Sequence, residues 1–84
     1  MENKETLGKR IAELRKRKGM TQEQLGEKVG VSAQAVSKWE NDLSYPDITL
    51  LPVLSDLLGA SVDELMGENK FFAAKNSANS LRLG

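Results

Sequence analysis

Between Thr21 and Asn41 the chain reads TQEQLGEKVGVSAQAVSKWEN, a stretch that holds two helix starts separated by one helix stop. The Thr21 hydroxyl can accept the free backbone N–H of Gln24 while the Gln24 side chain reaches back, a T-x-x-Q capping box, and Met20 and Leu25 stand where a hydrophobic staple closes over it. Leu25 and Val29, four apart, share one helical face, and Gly30 ends that helix because glycine enters the left-handed region without strain. Ser32 starts a second helix at once. Val31 and Val36 are its staple, and Val36 and Trp39 form its i, i+3 inner face in a helix ending near Asn41. Two helices joined by about three residues with glycine in the turn have the composition of a helix-turn-helix.

The side chains sort accordingly. Gly26 lets the second helix approach closely, and Leu25, Val29, Val31, Val36 and Trp39 point inward. The outward face is left with Ala33, Gln34, Ser37 and Lys38, short and uncharged except for the lysine. Such a face suits a DNA major groove, where an amide pairs with an adenine edge, small side chains allow approach to thymine methyls, and a lysine reaches guanine or phosphate.

On these residues, the run from Leu7 to Gly67, including LGKRIAELRKRKGMTQEQLGEKVGVSAQAVSKWEN and SYPDITLLPVLSDLLGASVDELMG, resembles the helix-turn-helix domain of the Xre or phage-repressor (lambda Cro/C1-like) family. The resemblance implies an all-α fold of five compact helices with the helix-turn-helix at helices two and three. It implies a transcriptional regulator, a repressor, that binds double-stranded DNA as a homodimer on an operator with two related half-sites. By the same resemblance Ala33, Gln34, Ser37 and Lys38 face base edges or the adjoining backbone, with Gln34 the foremost candidate for direct readout. Gln22, Ser32 and Asn41 fall at phosphates, where helix N-terminal N–H groups also favour anions. Arg15 is expected to form a structural salt bridge with Glu40 instead of touching DNA. Two positions depart from the family pattern: Gly26 stands where alanine is common, and Asp42 follows Asn41 where glycine is frequent.

The flanks extend the reading. A first helix is expected from between Asn3 and Leu7 to about Lys18, with Leu7, Ile11 and Leu14 as its buried stripe and Gly19 as its stop. After Asn41, DLSYPD reads as a loop, because Pro46 disfavours helix at Tyr45 and Asp47 can cap the next helix. The fourth helix is expected to carry Ile48, Leu51, Leu54 and Leu58, widened by Leu50 and Leu57, and to close at Gly59. Ser61 and Glu64 form an S-x-x-E capping box for a short fifth helix that returns Val62, Leu65 and Met66 to the core. Residues 1–67 are then one DNA-binding domain and 68–84 a tail. The tail's KNSANS centre has linker composition, while Phe71, Ala74, Ala78 and Leu81 keep the spacing of a short dimerisation helix.

At 84 residues there is room for one small domain. The chain has no Cys and no His, so disulfides, thiolate metal sites, the commonest zinc ligand and the usual general base are all excluded. No nucleophile, base and orienting group converge, and no glycine loop for phosphates is present, so a non-enzyme with neither cofactor nor metal is expected. Without a signal peptide or a membrane-length apolar run, a cytoplasmic protein is expected. Formal net charge is zero, which argues against a nucleic-acid binder until its distribution is considered. Residues 1–20 hold seven basic and three acidic side chains, whereas residues 42–67 hold five acidic and no basic ones. A dipolar chain keeps a DNA-facing side available. The rival is an antitoxin-like protein-interaction module, its partner held by helices four and five or by the tail.

Overall fold

The computed structural model describes residues 6–66. They form five helices, α1 (Leu7–Arg17), α2 (Gln22–Val29), α3 (Ala33–Glu40), α4 (Leu51–Leu58) and α5 (Val62–Met66), with a 3-10 turn at Ile48–Leu50 ahead of α4. The tail, with Phe71, Ala74, Ala78 and Leu81, lies outside the described residues.

Local chemistry sets most of these bounds. Thr6 Oγ1 accepts the Lys9 N–H at 3.1 Å and so fixes the start of α1. Thr21 and Gln24 close a reciprocal capping box on α2, at 3.0 and 2.9 Å, and Ser61 and Glu64 do the same at α5, at 3.0 and 2.9 Å. Every helix contributes to one core. Leu7 and Ile11 come from α1, Leu25 from α2, Val36 and Trp39 from α3, Leu51, Leu54 and Leu58 from α4, and Leu65 from α5.

α4 departs from its expected course. Ile48, expected on the buried stripe, is 63% exposed and sits in the 3-10 turn. The cause is Pro52, which has no N–H to offer the Ile48 carbonyl and whose ring would crowd it in an α-helix begun earlier. The Leu51 N–H bonds that carbonyl instead, in 3-10 fashion, and Pro52 falls in the first turn of α4, where no donor is required. Asp47 caps the 3-10 turn, its carboxylate accepting the Thr49 N–H at 3.1 Å.

The inner face of α1 also differs in detail. Its buried residues are Leu7, Gly8, Ile11 and Arg15, while Leu14 is only partly buried. Gly8 marks the closest approach of α1 to α3, since a Cβ there would overlap the Trp39 carbonyl and stand 2.6 Å from Asp42 Oδ1. Asp42 itself adopts φ 60°, the left-handed conformation in which glycine is favoured, and so resolves the path of the loop after α3. The Asp42 N–H donates to the Trp39 carbonyl at 3.0 Å and the Leu43 N–H to the Lys38 carbonyl at 2.9 Å, which closes the end of α3 as a glycine would.

Arg15 ties the helices together. Its Nε and Nη2 donate to the two carboxylate oxygens of Glu40 at 2.6 and 3.0 Å, and its Nη1 donates to the Met20 carbonyl at 2.8 Å. The Gln22 Nε2 donates to Glu40 Oε1 at 3.0 Å. Both charged side chains are nearly sealed from water. The hydrogen bonds to Glu40 raise the pKa of Arg15 above its ordinary value against the opposing effect of burial, so the guanidinium stays protonated.

Stability measurements test both features. In an open helix interior, Gly→Ala gains up to ~1 kcal/mol; here Gly8→Ala should instead lose about 1–3 kcal/mol in chemical denaturation, because a backbone oxygen occupies the space. A stabilised Gly8→Ala would show that α1 and α3 stand further apart. Arg15→Ala should cost about 3–5 kcal/mol by leaving the Glu40 charge buried and unpaired, and Arg15→Met with Glu40→Leu should regain most of that loss. A double variant no more stable than Arg15→Ala would mean that the damage comes from lost packing and not from the stranded charge.

Candidate nucleic-acid interface

The two helices that carry the sequence's strongest motif meet across residues 30–32. Gly30 takes φ 93°, and its N–H and that of Val31 both donate to the Gly26 carbonyl, at 2.7 and 2.8 Å. Ser32 Oγ accepts the Ala35 N–H at 3.1 Å and so begins α3 two residues beyond the glycine. Gly26 permits this tight junction, since a Cβ at that position would stand 2.6 Å from the Val31 carbonyl oxygen. The departure from alanine therefore has a local physical reason.

Burial fixes the rotation of α3. Val36 is fully enclosed and Trp39 nearly so. On the other side Gln34 and Lys38 are exposed, and Ala33 and Ser37 are half-exposed. Positions 33, 34, 37 and 38 make a single stripe along the helix, so the structure brings all four candidate base-reading side chains onto one accessible face. Ser32 and Asn41 are exposed at its two ends.

All three candidate phosphate contacts are partly engaged within the domain, Ser32 through the Ala35 N–H that its Oγ accepts. The Gln22 amide donates to Glu40, so its side chain is turned toward the ion pair, while its backbone N–H lies in the first turn of α2, where helical N–H groups have no intrahelical acceptor. Asn41 Nδ2 donates to the Ser37 carbonyl at 2.9 Å and completes the C-terminal end of α3. Ser32 keeps its exposed position at the N-terminus of α3, where the helix dipole favours an anion.

The basic run at the end of α1 divides among different tasks. Arg15 is internal, and Arg17 stands 3.5 Å from Glu13 in an exposed i, i+4 pair that contributes little. Lys18 Nζ lies over the C-terminal glycine of α4, Gly59, where the helix dipole favours a cation. The coupling of Gln22 to Glu40 has no signature in the sequence, because the two residues are eighteen apart and meet only once α2 and α3 have packed. Among the described residues, no group of three or more His, Cys, Asp and Glu side chains could hold a metal ion, and no helix is long and apolar enough to cross a membrane.

Comparisons with known proteins converge on this same segment. Residues 11–65 match the family model described as helix-turn-helix. Among curated proteins, the chain is 34% identical over 74 residues to the HTH-type transcriptional activator BcrR of Enterococcus faecalis, which covers 88% of this chain and 36% of that protein. It is 36% identical over 76 residues to the HTH-type transcriptional regulator ImmR of Bacillus subtilis, covering 90% and 59% of the two chains. The chain thus spans between about a third and three fifths of the length of these relatives. Among solved structures it is similar to the P22 c2 repressor in complex with a synthetic operator, with a TM-score of 0.70 and 39% identity over 74% of this chain and 94% of that one. The five-helix architecture, the capped helix pair and the matched segment together place the chain in the helix-turn-helix family of the Xre and phage-repressor type, to which it belongs.

Proposed function

We propose that the chain is a sequence-specific DNA-binding transcriptional repressor that acts in the cytoplasm as a homodimer on an operator with two related half-sites. The observation that carries this reading is the stripe of Ala33, Gln34, Ser37 and Lys38, accessible on one side of α3 while Val36 and Trp39 lock the other side into the core. In this reading α3 enters the major groove, with half-site centres about one helical turn, ~34 Å, apart. Gln34 pairs with a base edge, an adenine by its donor and acceptor geometry, and Ala33 and Ser37 admit close approach of the groove floor. Lys38 reaches a guanine or a phosphate.

Ser32, Asn41 and the backbone N–H of Gln22 position the domain on phosphates, and Arg15 with Glu40 holds α3 at its angle. Residues 1–67 constitute the DNA-binding unit in this proposal, and 68–84 a separate tail. That the P22 c2 repressor was solved in complex with a synthetic operator supports the reading, and repression is the simplest consequence of occupying an operator. No group of the site is assigned a catalytic part, so the chain is read as a binding protein. The SinR–SinI complex, among the similar structures, keeps a protein partner in view as the second reading.

Selection from a random duplex library at moderate salt tests the proposal, with enrichment of a two-fold related motif as the expected result. Salt-insensitive behaviour and no enrichment by folded protein would favour the protein-partner reading. On the enriched site, Gln34→Ala should cost about 1–3 kcal/mol and relax preference at one base pair; equal losses on cognate and random duplexes would remove it from base readout. Lys38→Ala, as a phosphate contact, should weaken all sequences alike and lower the slope of log K against log salt by about one. A loss confined to one base position would assign Lys38 to a base instead.

A further inference from the structure

Among the described residues, large apolar side chains left open to solvent are confined to one stretch. Leu43, Tyr45, Ile48 and Val53 are 74, 72, 63 and 39% exposed, whereas the other large apolar side chains described are buried or packed against the core. Pro46, between them, is buried and pins the loop to the domain, and Pro52 forces the turn that swings Ile48 outward. Residues 42–66 also carry Asp42, Asp47, Asp56, Asp63 and Glu64, all exposed, and no basic residue. The apolar patch therefore lies in a stretch of single-sign charge, and grouped exposure of this kind marks an interaction surface.

Charge and reach point to an occupant within the chain itself. Residues 67–84, outside the described residues, have the opposite character: Lys70, Lys75 and Arg82 stand against Glu68, together with both phenylalanines of the chain, Phe71 and Phe72, and with Leu81 and Leu83. A basic, apolar segment complements an acidic, apolar surface. Val53 and Met66 are separated by part of α4, residues 59–61 and α5, so they stand no more than about 30 Å apart. The eighteen residues after Met66 span up to ~60 Å when extended, enough to return to the patch. A short flexible tether also holds such a segment at an effective concentration of about millimolar, so a contact of only that strength is occupied about half of the time within one chain.

We infer that the tail of this chain, through Phe71 and Phe72 and its basic side chains, docks on the Leu43–Val53 face of its own domain. The rings take the apolar patch out of water, and Lys70, Lys75 and Arg82 meet the negative field of the carboxylates around it. The inference needs no DNA and stands apart from the reading of α3. Its consequence is competitive: a protein partner of this face has to displace the tail first.

The absence of cysteine lets a single nitroxide be attached to the full chain through Ser80→Cys. In isotope-labelled chain carrying that nitroxide, the amide NMR signals of Leu43, Tyr45, Ile48 and Val53 should broaden strongly, while those of Glu23 and Glu27 on α2 keep the intensity they have with a diamagnetic label. Isotope-labelled chain without nitroxide, mixed with unlabelled chain that carries it, should show no such broadening. Phe71→Ser with Phe72→Ser, and separately Ile48→Ser, should each restore the patch signals; Ile48 is exposed, so its replacement leaves the core untouched. Raised salt should weaken the contact by screening. Broadening that survives both sets of substitutions, or that is uniform or absent in the single chain, overturns the inference and leaves the face to a separate protein. Broadening confined to the mixed sample assigns the face to a second copy and overturns it equally.

Discussion

One sealed ion pair holds the angle on which the rest of the domain depends. Arg15 of α1 reaches Glu40 of α3 through two hydrogen bonds and the Met20 carbonyl through a third, while Gln22 of α2 adds a fourth to Glu40. Burying two charges is costly, and their attraction offsets that cost only when geometry is good and the remaining donors are satisfied. Sliding or rotating α3 against α1 would break several of these bonds together and strand a charge in the interior. The pair therefore contributes less as net stability than as a penalty on every other helix arrangement. Close contact at Gly8 and Gly26 acts in the same direction, because backbone meets backbone there and leaves no slack.

Residues alone reveal whatever depends on neighbours in sequence. Capping boxes at Thr21 and Ser61, the glycine turn at Gly30 and the inward phase of Val36 and Trp39 are set within one or two helical turns, and the structure places them as their chemistry dictates. Thr6 as the cap of α1 is equally local, but the charged residues around it mask the start of the helix. Ile48 departs from its pattern for a different reason. Its apolar spacing fits a helix, but the missing donor at Pro52 outweighs the spacing and turns the side chain outward. Gly8 and the bond from Gln22 to Glu40 belong to a third class, fixed by helices that meet only in three dimensions. The accessible stripe on α3 is legible because burial of its opposite side is, whereas the engagement of Gln22 and Asn41 inside the domain is not.

Charge placement bears on how such a stripe could discriminate. The chain has no net charge, and on the outward side of α3 Lys38 is the one charged side chain. Part of the basic run at the end of α1 is spent on structure: Arg15 inside the ion pair and Lys18 over the end of α4. Non-specific affinity for duplex DNA comes mainly from phosphate neutralisation and grows with each cation brought to the backbone. In the proposed function the α3 stripe, with Lys38 as its one cation, adds little to that sequence-independent part of the affinity. What the stripe contributes under that proposal is the fit of Gln34 and its small neighbours to base edges. Under that proposal, selectivity rests on two correct half-sites being read by two copies, each presenting one such stripe.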